Sequence, residues 1–384
     1  MRVIKKHFSV SRFLIIGISL FLSKLMLLLS AYLLSPTEYN LFNKYYYTAA
    51  LVITFGMLGF DYAFSREDIS PLKIILFVVF QISFFTFILS FFDDYRNTVL
   101  FSASVFIYAV FIVFSNILAF RILFDGEYIS YFFIYLSYSL LHIILIMAIP
   151  SQDYVLFFPF TGLLWAAIVL CISRRYLIIK GKGIKRFYKL AMSGFIINSS
   201  LSLGIVFIKY VVNNFFPAET ANAFTFSWGI AAPVYYIGSL IEKYIYSLDS
   251  EKSPGQTRKS FYLLLVLTAS YGLLMVFILI FIPGLFPSSV NITLLHNIFL
   301  VMLIGYSTYC VVHFPINGYL FKYAESSLQK VISISFVIII VFFIVLIFVF
   351  REGITSNYWY LLELFFAYIF TLLVVKTYFV VKSR

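Results

Sequence analysis

Charge is scarce in this 384-residue chain, and the usual signatures of soluble enzymes are missing with it. Only 11% of the residues are charged, far fewer than in an ordinary soluble domain. The two cysteines, Cys171 and Cys310, both lie inside apolar runs, which excludes a disulfide framework and a cysteine metal site. We find no HExxH helix, no nucleophile elbow and no phosphate-binding glycine loop. We therefore expect no catalytic residue, no metal and no cofactor, and we predict that the protein is not an enzyme.

Apolar residues make up most of what is present. Hydrophobic residues are 62% of the chain, and its mean hydropathy is +1.00. A helix that crosses the hydrocarbon core needs about 20 mostly apolar residues, and barrel strands are shorter and alternate. We therefore predict an all-α polytopic membrane protein with about twelve transmembrane helices. The predicted spans lie near 12–34, 43–64, 71–92, 99–120, 128–149, 154–173, 188–211, 222–244, 261–284, 294–316, 329–350 and 358–380.

Lys and Arg are concentrated in every second gap between these spans. Of the 28 basic residues, 23 fall in the two tails, including Lys376, or in the even-numbered gaps. The odd-numbered gaps hold only Lys44, Arg96, Lys209 and Arg351. Cytoplasmic loops are enriched in Lys and Arg, so the pattern places both termini in the cytoplasm. We attribute the net charge of +12 to this topology and to anionic lipids, and we expect no nucleic acid partner.

The densest basic gap divides the predicted spans into six and six. It has the sequence RRYLIIKGKGIKRFYK. We predict an N-terminal six-helix bundle over 1–173, a basic cytoplasmic linker over 174–189, and a C-terminal six-helix bundle over 190–384. Because each bundle would begin in the cytoplasm, the two would be parallel repeats related by an axis along the membrane normal.

A weak internal repeat supports this division. With an offset of 181 residues, Pro36 and Glu38 at the outer end of span 1 match Pro217 and Glu219 at the outer end of span 7. The same offset carries Asp61 onto Glu242. Proline and glutamate also begin ordinary helices, so the match is suggestive only.

The first two spans resemble those of a known family. Span 1 follows a basic tail and ends in LLSPTEYNLF, and span 2 contains two glycines and closes with an arginine. With the six-plus-six layout, these features resemble the polysaccharide flippases of the multidrug/oligosaccharidyl-lipid/polysaccharide exporter superfamily. The residues that carry the motif are Pro36, Glu38, Gly56, Gly59 and Arg66.

The resemblance implies a function. Such flippases move undecaprenyl-pyrophosphate-linked oligosaccharide repeat units from the cytoplasmic to the periplasmic leaflet of the bacterial inner membrane by alternating access, for O-antigen or capsule assembly. The resemblance implies a lipid-linked oligosaccharide substrate, surrounding membrane lipids, and a polysaccharide polymerase and a chain-length regulator as partners. Tyr39 and Asn40 replace the family's usual glycine, which leaves the subfamily open.

Basic side chains in the spans are the candidates for holding an anionic substrate. Lys24 lies about 18 Å of helix from either end of span 1, too far to reach an interface easily. A charge at that depth costs about 2.5–3.5 kcal/mol on insertion scales. It either anchors a pyrophosphate or acidic sugar, or pairs with Asp61 or Glu363. We assign to substrate binding Lys24, Lys209, Arg66, Arg121 and Asn198.

Acidic residues in the spans are the candidates for coupling transport to an ion. These are Asp61, Glu242 and Glu363. Three histidines in the spans either relay protons or, as is commoner, form interhelical hydrogen bonds. They are His142, His296 and His313.

Two other functions remain open. A cation-coupled multidrug exporter of the same superfamily would need acidic residues deep in the spans, whereas the deepest charge here is Lys24. A membrane O-antigen polymerase would resemble proteins with one large periplasmic loop that carries the active residues. All outer gaps in this chain are short, which ranks the polymerase below both transporters.

Overall fold

The chain is built almost entirely from α-helices. The computed structural model describes residues 10–57, 59–60, 63, 69–90, 99–149, 153–177, 184–196, 200–247, 254–323, 325–351 and 358–382. In these ranges there are thirteen α-helices, two short 3-10 turns and no strand. The prediction of an all-α chain is confirmed.

The helices are numbered here in chain order. They are α1 Val10–Leu33, α2 Pro36–Met57, α3 Pro71–Ser90, α4 Val99–Phe124, α5 Tyr128–Ala148, α6 Tyr154–Ser173, α7 Ile184–Gly194, α8 Ser200–Phe215, α9 Ala218–Ser247, α10 Pro254–Phe281, α11 Ile292–Tyr323, α12 Glu325–Arg351 and α13 Tyr358–Lys382.

Many of these helices have the character of membrane spans. Within the described ranges, six segments are long and apolar enough to cross a membrane, and three further segments are apolar but shorter. The protein is therefore a polytopic membrane protein. The full count of twelve spans and the cytoplasmic termini stay predictions. The six segments are Leu100–Leu123, Tyr128–Ala148, Tyr154–Ser173, Phe261–Phe281, Ile292–Asn317 and Tyr358–Lys382.

Two helices begin in the same way, at the positions that the internal repeat pairs. Pro36 is the first residue of α2, where a missing N–H costs nothing. The Glu38 carboxylate accepts hydrogen bonds from the Ser35 backbone N–H at 3.0 Å and from the Ser35 hydroxyl at 2.7 Å, in the manner of a capping box. Helix α9 follows Pro217 and carries Glu219 in its first turn.

The structure describes two helices in the seventh predicted span, with residues 197–199 outside the described ranges. Helix α7 ends at Gly194, Phe195 and Ile196 form a wider π-helical turn, and α8 starts at Ser200. Helix α7 also begins inside the segment predicted as a linker, which is therefore partly helical.

The C-terminal end of α7 lies against the segment that follows α2. Gly59 has a φ of +64°, a conformation that suits glycine, and it lies directly against the backbone of α7. A β-carbon at Gly59 would stand 2.7 Å from the Ala191 carbonyl oxygen and 2.7 Å from the Gly194 carbonyl carbon. Only a residue without a side chain permits this approach.

The helices pack in two groups with similar neighbours. In the first group, α1 to α6, helix α2 packs on α3 and α4, α4 packs on α6, and α5 packs on α6. In the second group, α8 to α13, helix α9 packs on α10 and α11, α11 on α13, and α12 on α13. The main contacts between the groups join α1 and α2 to α8 and α9. The predicted bundle boundaries themselves stay a prediction.

Hydrogen bonds join the two groups at the end where α2 and α9 begin. The Asn222 amide donates to the Pro36 carbonyl at 2.9 Å and to the Ser289 carbonyl at 3.1 Å. The Ser289 hydroxyl donates to the Ala31 carbonyl at 2.5 Å. The α1–α2 turn is thus held by α9 and by the α10–α11 loop, at the end that the charge pattern places outside.

We expect Gly59→Ala to destabilise the protein. The added methyl group would meet the α7 backbone, and a left-handed φ costs a non-glycine residue about 1–2 kcal/mol. The melting temperature of the purified full chain in detergent should fall by several degrees. Gly284→Ala is the matched control, since nothing lies within 4 Å of the site of its added carbon. Equal melting temperatures for the two variants would contradict the close approach.

We expect opposite ends of the fold to face opposite sides of the membrane. Ser288 is exposed near the start of α2. Lys185 is exposed beyond the end of α2. With Cys171 and Cys310 replaced by alanine, Ser288→Cys should react with an impermeant maleimide on intact spheroplasts. Lys185→Cys should react only after permeabilisation. The reverse pattern would invert the predicted orientation.

Candidate functional site

A buried lysine lies where the two helix groups meet. Lys209 of α8 is 9% exposed, and its Nζ lies 5.1 Å from the centre of the Tyr47 ring and 5.3 Å from the Trp228 ring. Tyr47 belongs to α2 of the first group, and Trp228 belongs to α9 of the second. These three residues are called the Lys209 site below.

The aromatic rings of the Lys209 site are fixed by other rings. The Trp228 ring meets Tyr306 of α11 edge-on at 5.8 Å and Phe365 of α13 at 5.2 Å between centroids. The Tyr47 ring stands perpendicular to its neighbour Tyr46 at 5.2 Å. Because edge-on contacts orient a ring, they hold these faces toward the ammonium group.

The backbone that carries Lys209 is fixed one turn further along α8. The Asn213 amide donates to the Lys209 carbonyl at 2.8 Å and to the Thr225 hydroxyl at 2.8 Å. The Thr225 hydroxyl donates back to the side-chain oxygen Oδ1 of Asn213 at 3.2 Å. This buried exchange ties α8 to α9, so the lysine starts from a defined position.

The electrostatics of the Lys209 site favour an anionic ligand. A cation over an aromatic face gains about 2 kcal/mol when it is removed from water. Two such faces therefore offset a large part of the cost of placing an ammonium group within a membrane protein. An ammonium group offers three donors and no acceptor, so its chemistry suits phosphate or carboxylate.

Arg121 is also buried, but its ion pair is local. Its Nη2 lies 3.0 Å from Oδ1 of Asp125, one turn along, and its Nε lies 3.3 Å from Oδ2. The pair stands at the end of α4 that the charge pattern places in the cytoplasm. The structure therefore gives Arg121 a carboxylate partner, and its predicted contact with the substrate remains untested.

The structure describes few of the other predicted site residues. Glu363 is exposed on α13, so it lies outside the buried interior. Its role in ion coupling stays a prediction. The roles predicted for the other site residues also stay predictions. Asp61, Arg66 and Asn198 lie outside the described residues, and the same holds for the side chains of Lys24 and Glu242.

A second buried lysine was missed by the sequence analysis. Lys376, counted there with the cytoplasmic tail, is wholly buried on α13. Its Nζ donates to the side-chain oxygen Oδ1 of Asn317 at 2.9 Å and lies 3.4 Å from Nδ1 of His313. Tyr309 lies 2.6 Å from the same Nδ1, and the Asn317 amide nitrogen lies 3.0 Å from Nε2. Assigning Lys376 to the tail was wrong, because α13 continues to Lys382.

One feature of the sequence points to this cluster. Tyr309, His313 and Asn317 recur at intervals of four residues, which puts their side chains on one face of a helix. A polar stripe on an otherwise apolar span indicates an interior contact. Which residue completes the contact cannot be derived from spacing, because Lys376 is 59 residues further along the chain than Asn317.

The other two span histidines form hydrogen bonds to backbone carbonyls. Nε2 of His296 lies 3.1 Å from the Leu279 carbonyl of α10, an interhelical contact. Nδ1 of His142 lies 2.9 Å from the Tyr138 carbonyl, one turn back in α5. His142 is fully buried, and both histidines act as packing and hydrogen-bonding groups in this structure.

The fold is similar to that of a solved transporter. Its structure is an outward-facing conformation of a multidrug resistance MATE family transporter of the MOP superfamily. The alignment has a TM-score of 0.59 and covers 97% of this chain and 95% of that chain, with 13% sequence identity. No family model matches the sequence. No curated protein matches it either.

The similarity establishes the fold of the whole chain. The two proteins share an architecture, because nearly the full length of both is aligned. The predicted superfamily stays a prediction. The polysaccharide flippase assignment is finer than this and stays a prediction.

We expect Lys209 and Tyr47 to be energetically coupled. Unfolding free energies would be measured for the wild type, Lys209→Met, Tyr47→Leu and the double variant. A cation–π contact in this buried position predicts a coupling free energy of about 1–2 kcal/mol. Lys330 is exposed on α12, so a cycle of Lys330→Met with Tyr47→Leu should be additive. Additivity in the Lys209 cycle would show that the contact is energetically unimportant.

Proposed function

We propose that this protein is a membrane transporter for a substrate with an anionic head group. The observation that carries the proposal is the sign of the buried charge. In the part of the chain that the structure describes, the charged side chains that are buried are Arg121, Lys209 and Lys376, all basic. Buried charge is costly in a membrane protein and marks functional positions, so its uniform sign favours an anionic cargo.

The position of Lys209 supports the same proposal. It stands between α2 and α9, which belong to different helix groups. In a transporter that works by alternating access, the substrate site lies between two groups that move relative to one another. An anion bound at Lys209 would be in contact with both groups.

The substrate that we propose is an undecaprenyl-pyrophosphate-linked oligosaccharide. Its pyrophosphate would bind Lys209, its sugars would stack on aromatic rings such as those of Tyr47 and Trp228, and its polyprenyl chain would remain in lipid. The protein would flip this unit from the cytoplasmic to the periplasmic leaflet of a bacterial inner membrane, for O-antigen or capsule assembly. It would work with a polysaccharide polymerase and a chain-length regulator, and it would not itself be an enzyme.

A multidrug exporter is the second candidate. The similar solved structure is described as a multidrug resistance transporter, and the fold suits both functions. Aromatic faces such as those of Tyr47 and Trp228 also bind organic cations. Lys209 already lies against both of these rings, however, and a second cation there would be repelled.

Flipping can be measured with the purified full chain in proteoliposomes. A fluorescent undecaprenyl-pyrophosphate oligosaccharide is placed in both leaflets, and dithionite reduces only the label that reaches the outer surface. We expect the wild type to make the whole pool reducible. Lys209→Met should lower the rate at least about tenfold, the effect of losing about 1.4 kcal/mol of stabilisation.

Lys330→Met is the control, because it removes one positive charge from an exposed position. It should flip at the wild-type rate. If the wild type leaves half of the label protected but expels ethidium when an ion gradient is imposed, the protein is a multidrug exporter. If the wild type lengthens the oligosaccharide, the protein is a polymerase. Normal flipping by Lys209→Met would remove the lysine from the mechanism.

A further inference from the structure

Helix α7 has one face buried against the protein. Phe187, Ala191 and Gly194 are buried, and they recur every three or four residues along Ile184–Gly194. The Phe187 ring stacks on Phe60, just beyond α2, at 5.6 Å between centroids. This face fixes the helix to the body of the protein.

The opposite face of α7 is basic. Lys185, Arg186 and Lys189 are all exposed. Lys185 and Lys189 are four residues apart and Arg186 and Lys189 three apart, so the three side chains form one stripe. At 100° per residue this stripe points away from the buried face.

An exposed apolar flank runs beside the basic stripe. Ile184 and Met192 are 46% and 47% exposed, and Tyr188 lies between them at helical spacing. The Tyr188 ring is partly covered by Phe77 of α3, at 4.4 Å between centroids. A basic stripe with an adjoining apolar flank is typical of helices that lie at a membrane interface.

We propose that α7 binds anionic phospholipid head groups through Lys185, Arg186 and Lys189. The apolar flank lies against the upper part of the acyl chains, and the basic stripe reaches the phosphates. Both requirements of an interfacial helix, apolar contact and positive charge, are met by neighbouring faces of one short helix. The location agrees, since α7 packs on the end of α2 that the charge pattern places at the cytoplasmic leaflet.

Helix α7 lies next to the two helices that form the Lys209 site. It contacts the segment after α2 through Gly59 and Phe60, and it precedes α8 in the chain. Tyr47 lies on α2, and Lys209 lies on α8. The binding of lipid does not depend on what the protein transports.

The test measures lipid retention by the full-length protein. The protein is reconstituted in bilayers of equimolar phosphatidylglycerol and phosphatidylcholine and extracted in mild detergent, and the bound lipids are quantified by mass spectrometry. We expect the wild type to retain an excess of phosphatidylglycerol. The triple variant Lys185→Gln/Arg186→Gln/Lys189→Gln should lower that excess at least about fivefold.

Two further variants make the result specific. Arg174→Gln/Lys330→Gln/Lys382→Gln removes the same charge from exposed positions elsewhere and should retain the wild-type excess. Ile184→Asn/Met192→Gln keeps the charge but removes the apolar flank, and it should also lose retained phosphatidylglycerol. Equal loss in the control variant would overturn the proposal. An undiminished excess of phosphatidylglycerol in the Ile184→Asn/Met192→Gln variant would also overturn it. Displacement of the lipid by inorganic pyrophosphate would overturn it as well, because it would show a site for free phosphate.

Discussion

The absence of water from the hydrocarbon core is the constraint on which this structure depends. Backbone N–H and C=O groups must bond within their own helix there, and a charged side chain needs a built environment. The first requirement accounts for the nearly uninterrupted helices. The second accounts for the two buried lysines: Lys209 is held against two aromatic faces, and Lys376 is held by an amide and an imidazole. The two environments differ in kind. Lys209 lies against the faces of two rings, whereas the side-chain oxygen of Asn317 accepts a hydrogen bond from Lys376.

The contacts between the helix groups combine tight packing and polar anchoring. Gly59 allows the backbone beyond α2 to touch the backbone of α7, and Gly229 allows the Leu28 side chain of α1 to lie against α9. Polar side chains act at the other end, where the Asn222 amide and the Ser289 hydroxyl bond to backbone carbonyls near the α1–α2 turn. Helix α2, which carries Tyr47, is therefore held near its start by Asn222 and just beyond its end by the approach of Gly59 to α7. Helix α8, which carries Lys209, is tied to α9 by the Asn213–Thr225 hydrogen bonds.

Hydropathy predicts the helical architecture well, because membrane burial imposes a simple requirement on composition. Each predicted span except the seventh overlaps one helix, although α2 begins at Pro36 rather than near residue 43. Two helices are described within the seventh span, and an apolar average does not indicate the close approach of Gly59 to Gly194, which are far apart in sequence. The Lys209 site was found only in part. The lysine itself stands out in an apolar run, but Tyr47 and Trp228 are two among 21% aromatic residues, and nothing in their spacing distinguishes them. Lys376 was assigned to the wrong environment because charge near the end of a span usually marks an interface.

The amide group of Asn222 holds two separate segments. Its two N–H bonds reach the α1–α2 turn and the α10–α11 loop, and the Ser289 residue that accepts one of them donates its own hydroxyl to Ala31. Moving the turn away from α9 and the α10–α11 loop would break the Asn222–Pro36 and Ser289–Ala31 bonds together rather than in sequence. Separation at this end is therefore expected to behave as an all-or-none step with a threshold, so that partly opened states are sparsely populated.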